Sequence, residues 1–305
     1  MDKKTQFMTM SDGHEVFVTT LIPTEEIIGH MHILHGMAEH STRYTSFAEM
    51  LCRHGYVVTM HDHRGHGHTA EKNGHIGYFA EKNGFARVVK DVFDVLYQVR
   101  KDKNFPPVIL FGHSMGSFIV RRYMQLYSET LQAAIICGTG ATTRLHLVGN
   151  RLAKRLVATK GPLTDSHLMH KLSFGSFNKS FSDVKTPFDW LCSDHVEVQK
   201  YINDPKCGFI GTNQFYVDLT DGLLMITKNG ENSRIRPDLP VLFISGSDDP
   251  VGDRGSGVFD VAQQMTDEGV QSAVVYLFEG MRHEVLNEKN KQHAYDVIIR
   301  WLEGK

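Results

Sequence analysis

Pro107-Val108-Ile109-Leu110-Phe111-Gly112-His113-Ser114-Met115-Gly116-Ser117 is an apolar run of strand length that ends in Gly-x-Ser-x-Gly. A helical pattern of apolar residues (Phe118, Ile119, Tyr123, Met124, Leu126, Tyr127) begins at once. Strand, tight turn and helix are the context a nucleophile elbow needs. The reversal crowds the turn, so glycines at 112 and 116 let strand and helix approach. Ser114 is then expected in a strained conformation, its hydroxyl above the sheet edge. The N-terminal N–H groups of the following helix point at the same spot, where an oxyanion would be stabilised.

The 305-residue chain permits one large domain, or one domain plus an insertion. A net charge of -2 and the lack of any lysine/arginine run exclude nucleic acid as the main partner. No stretch approaches the ~18 consecutive apolar residues of a membrane helix, and Met1–Phe7 is not followed by the apolar core of a signal peptide. Cys52, Cys137, Cys192 and Cys207 are widely spaced, which reads as reduced thiols in a cytoplasmic protein. Eighteen histidines are the one compositional oddity.

Outward from the elbow, β-rich runs alternate with helical patterns. Phe7–Ser11 and Val16–Ile22 flank Asp12-Gly13 and read as a hairpin. Ile27–Leu34 and Tyr56–Met60 read as strands, with a helix between them that Ser41 or Thr42 can cap. His61–Thr69 reads as a loop dense in glycine and histidine, and Phe85–Val99 as a helix. After the elbow come the strand Ala133–Cys137 and, much later, the strand Val241–Ser245, a helix over Gly257–Thr266, the strand Ala273–Leu277 and a closing helix Lys291–Leu302. This alternation predicts an α/β fold, a mostly parallel sheet flanked by helices. Between about Ala141 and Leu224 the alternation breaks into short leucine and aromatic groups mixed with basic residues and prolines. We read residues 141–224 as an inserted helical cap, with 1–140 and 225–305 forming the core.

In a parallel sheet the carboxyl ends of the strands share one rim. Ser245-Gly246-Ser247-Asp248-Asp249-Pro250 supplies carboxylates past one strand, and Gly280-Met281-Arg282-His283-Glu284 a histidine past the next. A serine hydroxyl needs a base within reach, and the base needs a carboxylate that fixes its tautomer. Ser114, then an aspartate, then His283 is the chain order of one such triad. Asp248 and Asp249 remain open at this point, since neighbouring side chains on an extended segment face opposite ways. Two N–H donors for an oxyanion would be those of Met115 and, from the loop His35–His40, of Met37. Gly36 suits a backbone that must approach a substrate closely.

His35-Gly36-Met37-Ala38-Glu39-His40-Ser41-x-Arg43-Tyr44, His61-Asp62-x-Arg64-Gly65-His66-Gly67, Gly112-His113-Ser114-Met115-Gly116 and Arg282-His283-Glu284 together resemble the monoacylglycerol lipase and lysophospholipase-like group of α/β-hydrolases, also catalogued with the serine aminopeptidases. The resemblance implies a serine carboxylic-ester hydrolase that works through an acyl-enzyme without metal or organic cofactor. It places the triad acid at Asp249, by the pattern Gly-x-x-Asp, and puts Gly36 and His113 beside the substrate. It also implies a helical cap between the sixth and seventh strands, which is where 141–224 falls. The expected partner is a small-molecule ester carrying an acyl chain, and the cap offers a face for transient contact with a membrane surface. The alternatives are a small-ester carboxylesterase, a proline-iminopeptidase-like aminopeptidase of the same fold, and, more remotely, a metallohydrolase using His61, His63 and His66. A ligand-binding receptor without turnover has no support, because all three triad members are present. Oligomeric state is not legible in the sequence.

Overall fold

The computed structural model describes residues 1–101 and 103–304. An eight-stranded sheet runs in the order β1-β2-β4-β3-β5-β6-β7-β8. Its strands are β1 (Asp2–Thr9), β2 (Glu15–Ile22), β3 (Gly29–Leu34), β4 (Tyr56–His61), β5 (Val108–His113), β6 (Leu131–Cys137), β7 (Val241–Gly246) and β8 (Ala273–Phe278). The hairpin β1–β2 joins β4 antiparallel, and every later pairing is parallel. All residues of β3, β4, β5 and β7 are buried, as expected where helices cover both faces of a parallel sheet. β1 is an exposed edge that carries Lys3 and Lys4, a common guard against edge-to-edge pairing.

One face is covered by α1 (Thr45–Arg53) and α10 (Lys291–Glu303), whose Phe47, Leu51, Tyr295 and Ile298 pack on Ile33, Phe111, Ile135 and Ile244. The other is covered by α3 (Gly84–Arg100), α4 (Met115–Tyr127) and α9 (Ser256–Asp267), through residues such as Val92, Ile119, Met124 and Val261. From β3 the chain crosses to β4 on one side, and from β5 to β6 on the other. Their carboxyl ends therefore open a crevice at a topological switch point, the place where open α/β sheets hold ligands.

Two local expectations give way to longer-range partners. Neither Ser41 nor Thr42 caps a helix: Ser41–Tyr44 is a 3-10 turn that leads into α1. The Ser41 N–H and hydroxyl both donate to Asp62 Oδ1, at 2.8 and 2.6 Å. The 61–69 loop ends early in a short helix, α2 (Gly67–Asn73), and the His68 N–H donates to Asp62 Oδ2 at 2.8 Å. One buried aspartate thus organises both segments, which no local periodicity could reveal.

Between β6 and β7 lie α5 (Arg144–Lys160), α6 (His167–Phe174), α7 (His195–Asn203) and α8 (Asn213–Ile226). Phe215, Tyr216, Leu223 and Ile226 of α8 join the core cluster on α3 and α4. Trp190, Leu191, Cys192, Val198 and Tyr201 form a separate cluster, with Phe174, Phe177, Phe181 and Phe188 against it.

Candidate active site

Ser114 follows β5 with φ 53° and ψ −119°, a left-handed backbone that a residue with a Cβ rarely adopts. The turn is held by the Ser114 N–H donating to the Cys137 carbonyl (2.9 Å) and by the Ser117 N–H donating to the Ser114 carbonyl (2.8 Å). A Cβ on Gly112 would collide with the Gly116 carbonyl, and one on Gly116 with the Leu34 carbonyl. The two glycines let α4 start directly against β3 and β5. Met115 is its first residue, and neither the Met115 nor the Met37 N–H is engaged by another group among the described residues.

Asp249 lies past β7 and His283 past β8, both essentially inaccessible. His283 Nδ1 is 2.9 Å from Asp249 Oδ2. That oxygen also accepts from Ser245 Oγ (2.8 Å), and Asp249 Oδ1 accepts from the Val251 N–H (2.8 Å). Burial works against charge on the carboxyl, but the His283 charge and these three donors outweigh it and hold the Asp249 pKa below the ordinary value. Burial likewise disfavours the imidazolium, yet the Asp249 carboxylate leaves the His283 pKa above 6.5. An ionised carboxylate can only accept, so the proton sits on Nδ1 and Nε2 keeps its lone pair. The Asp248 side chain has no hydrogen bond among the described residues, and its N–H donates to the Met281 carbonyl (3.0 Å).

Ser114 and His283 open on one cavity of about 270 Å³. Gly36, Met37, His113 and Glu284 line it from the strand ends, and Phe174, Phe188, Trp190 and Tyr201 from the segment between β6 and β7. The Trp190 ring lies 5.2 Å from that of His283, and the His113 ring 4.5 Å. Burial, then the nearby His283 charge, pushes His113 down to about 3, so it stays neutral. A Cβ on Gly36 would lie 2.7 Å from Glu39 Oε1 and 3.2 Å from Ser114 Cβ. Gly36, Met37, His113, Ser114 and His283 line this cavity, Met115 directly follows Ser114, and Asp249 is buried behind His283.

The family described as "Serine aminopeptidase, S33" matches residues 25–290. The chain belongs to this family. It is 25% identical over 279 residues to the monoglyceride lipase of Rattus norvegicus (91% of this chain, 82% of the relative). It is 24% identical over 293 residues to the monoacylglycerol lipase of Mycolicibacterium smegmatis (95% and 93%). A thermostable carboxyl esterase from Bacillus coagulans, solved in complex with glycerol, superposes with a TM-score of 0.93 at 26% identity, covering 100% of this chain and 99% of that one. The protein is an α/β-hydrolase.

In this S33-family chain an ion network under the crevice carries groups to which the sequence reading gave no role. Arg43 donates to both oxygens of Glu284 (2.6 and 2.7 Å) and to Glu39 Oε2 (2.5 Å). Glu39 Oε1 accepts from the Gly36 N–H (2.5 Å) and from Tyr44 Oη (2.8 Å). Burial would raise the Glu284 pKa, but the Arg43 charge and hydrogen bonds bring it down to about 2. The motif His-Gly-x-x-Glu-His-Ser-x-Arg-Tyr held Glu39, Arg43 and Tyr44 in view, though not their pairing with a residue 241 positions away.

A metal centre at His61, His63 and His66 is not carried by the geometry. Although His61 Nε2, His66 Nε2 and both ring nitrogens of His63 carry no hydrogen bond among the described residues, the three rings do not bring their nitrogens together within ligand reach. The group of ligand atoms that does converge among the described residues is His40, Asp204 and Cys207.

Proposed function

We propose that the protein is a serine carboxylic-ester hydrolase of the monoacylglycerol lipase type. The observation that carries this is Ser114, on a left-handed elbow, sharing a cavity with a histidine whose Nδ1 is fixed by a buried carboxylate. In this reading Ser114 Oγ attacks the ester carbonyl carbon while His283 Nε2 takes its proton. The N–H groups of Met37 and Met115 hold the oxyanion, with the N-terminus of α4 behind them. Collapse breaks the bond to the leaving alcohol, which takes the proton from His283. Water then attacks the acyl-enzyme by the same route and releases the acid. Asp249 holds the tautomer and stabilises the imidazolium.

The segment 141–224 serves as a cap whose aromatic residues wall the acyl pocket. Acyl-glycerol relatives and an apolar wall of Phe174, Phe188 and Trp190 support an acyl substrate. An aminopeptidase must hold a free ammonium group, yet Glu39 and Glu284 on the cavity wall are already engaged by Arg43, Tyr44 and the Gly36 N–H, which favours the ester reading. The four free cysteines suit a reducing, cytoplasmic compartment, and among the described residues no helix is long and apolar enough to cross a membrane. The test is labelling by a fluorophosphonate at Ser114 together with release of fatty acid from a monoacylglycerol. Wild-type activity that survives complete labelling would overturn the proposal.

A further inference from the structure

Ala38, directly after Met37, has φ 54°. This left-handed conformation is strained for any residue with a Cβ, and it persists only where the surroundings impose it. Its carbonyl accepts two hydrogen bonds, and both come from the segment 201–208: from Tyr201 Oη at 2.9 Å and from the Gly208 N–H at 2.9 Å. The same segment ties the loop a third time, where His40 Nε2 meets Asp204 Oδ2 at 2.9 Å. The other ring nitrogen of His40 is taken by Thr42 Oγ1 at 2.6 Å. This cluster with Cys207 is therefore a staple between the loop and the segment.

The remaining ties on the loop come from the core. Glu39 holds the Gly36 N–H, and Arg43 holds Glu39 to Glu284 beside His283. The Arg43 guanidinium in turn lies 4.9 Å from the centre of the Tyr201 ring. Burial keeps the Tyr201 phenol protonated, so it can only be a donor toward Ala38. The core thus fixes the two sides of the loop, while its strained middle residue is held from the cap side alone.

We propose that Tyr201 is a positioning residue for the oxyanion site, so that the cap segment 201–208 completes the geometry of the loop as it seats. The proposal rests on the reading of Met37 as an oxyanion donor. Without the phenol, the strained Ala38 carbonyl keeps only the Gly208 N–H, so the loop loosens and the Met37 N–H drifts from the point shared with Met115. That donor acts chiefly in the transition state, so its misplacement lowers kcat and leaves KM.

Tyr201→Phe keeps the ring over Arg43 and removes only the hydroxyl. On a p-nitrophenyl ester, kcat should fall about 10-fold or more, less than the ~10²–10³ of deleting a donor outright. KM and Tm should stay near wild type, and affinity for an alkyl boronic acid, a tetrahedral mimic, should fall by a similar factor. Ala38→Gly removes the strain, so adding it to Tyr201→Phe should recover most of the lost kcat. An unchanged kcat in Tyr201→Phe overturns the proposal. So does a loss that Ala38→Gly does not recover, which would mark a direct substrate contact or mere packing. Ser114→Ala separates the two readings. If it is inert while Tyr201→Phe is fully active, only the positioning role falls; if it retains activity, the serine mechanism itself falls.

Discussion

Asp249 Oδ2 stands 2.9 Å from His283 Nδ1, while the adjacent Asp248 side chain makes no hydrogen bond among the described residues. The pair sets the expected pH profile. In the proposed mechanism His283 must be neutral to take the Ser114 proton, and its pKa lies above 6.5. The acid limb of kcat/KM should therefore fall above pH 6.5, with activity lost as pH drops through it. Asp249→Asn removes the charge that raises the pKa and the acceptor that sets the tautomer. We expect it to lower kcat by about 10⁴ and to move any residual acid limb to lower pH. Asp248→Asn should stay within about twofold of wild type. The reverse ranking of the two asparagine variants would place the acid one residue earlier.

The elbow can be tested through its glycines. A Cβ at 116 meets the backbone carbonyls of Leu34 and His35, which cannot swing aside as a side-chain end would. Gly116→Ala should cost about 1–3 kcal/mol of stability through overpacking, read as a fall in the urea midpoint. At Gly36 the added methyl meets the Glu39 carboxylate, itself held by Arg43, Tyr44 and the Gly36 N–H, and the Ser114 Cβ. Gly36→Ala should displace Glu39 from that network and show a large drop in kcat. Equal activity in Gly36→Ala and wild type would mean that this loop does not press on the reacting centre.

Much of this was legible in the sequence, for a physical reason. Strands buried on both faces are rich in apolar residues, so 29–34, 56–61, 108–113 and 241–246 stand out even with His30, His32, Thr59 and His61 among them, and elements joined by short turns keep their order. What the sequence hid is held by partners distant in the chain. Ser41 looked like a cap because serine usually is one, but Asp62 took both its donors. Trp190 was visible only as a member of an aromatic-rich stretch, and Tyr201 carried no signal of its own. Which aromatics turn toward His283 and which fill the segment's own small core depends on its packing, and no periodicity marked the difference.

The histidine excess has a consequence for stability. His30, His32, His35, His61, His63, His66 and His113 are all buried, and burial pushes every one below its ordinary value, to about 3 for His30, His61 and His113 and about 4 for His66. Unfolding frees each to take a proton at 6.5. Below pH 6.5 the unfolded state therefore binds more protons, and stability falls as pH falls, down to the folded-state values. At pH 5 each of His30, His61, His66 and His113 contributes about 2 kcal/mol of destabilisation, and His32, His35 and His63 act in the same direction. Those four alone reach into the ~5–15 kcal/mol of a typical domain. The protein should lose stability steeply toward pH 5, with net proton uptake by these groups when unfolding is measured at pH 5.5. Stability that is flat between pH 7 and 5 would show that these rings are already protonated or hydrated in the folded state.

Substrate choice follows from the cavity. At about 270 Å³ it is just below the ~300–1,000 Å³ range of small-molecule sites, and Phe174, Phe188 and Trp190 give it an apolar wall. That volume suits one acyl chain of modest length, not three. Each methylene moved from water onto the wall contributes about 0.8 kcal/mol, close to a fourfold gain in kcat/KM where the chain is fully buried in the transition state. On p-nitrophenyl esters kcat/KM should climb from acetyl to octanoyl and level off once the chain outgrows the cavity. Medium-chain monoacylglycerols should be hydrolysed and triacylglycerols barely used. Trp190→Ala, which opens the wall beside His283, should move the plateau to longer chains while reducing the rate on short ones. A flat or falling profile from two to eight carbons would remove the lipid reading and leave a small-ester hydrolase. Turnover of aminoacyl-arylamides in place of esters would instead make it a peptidase of the same fold.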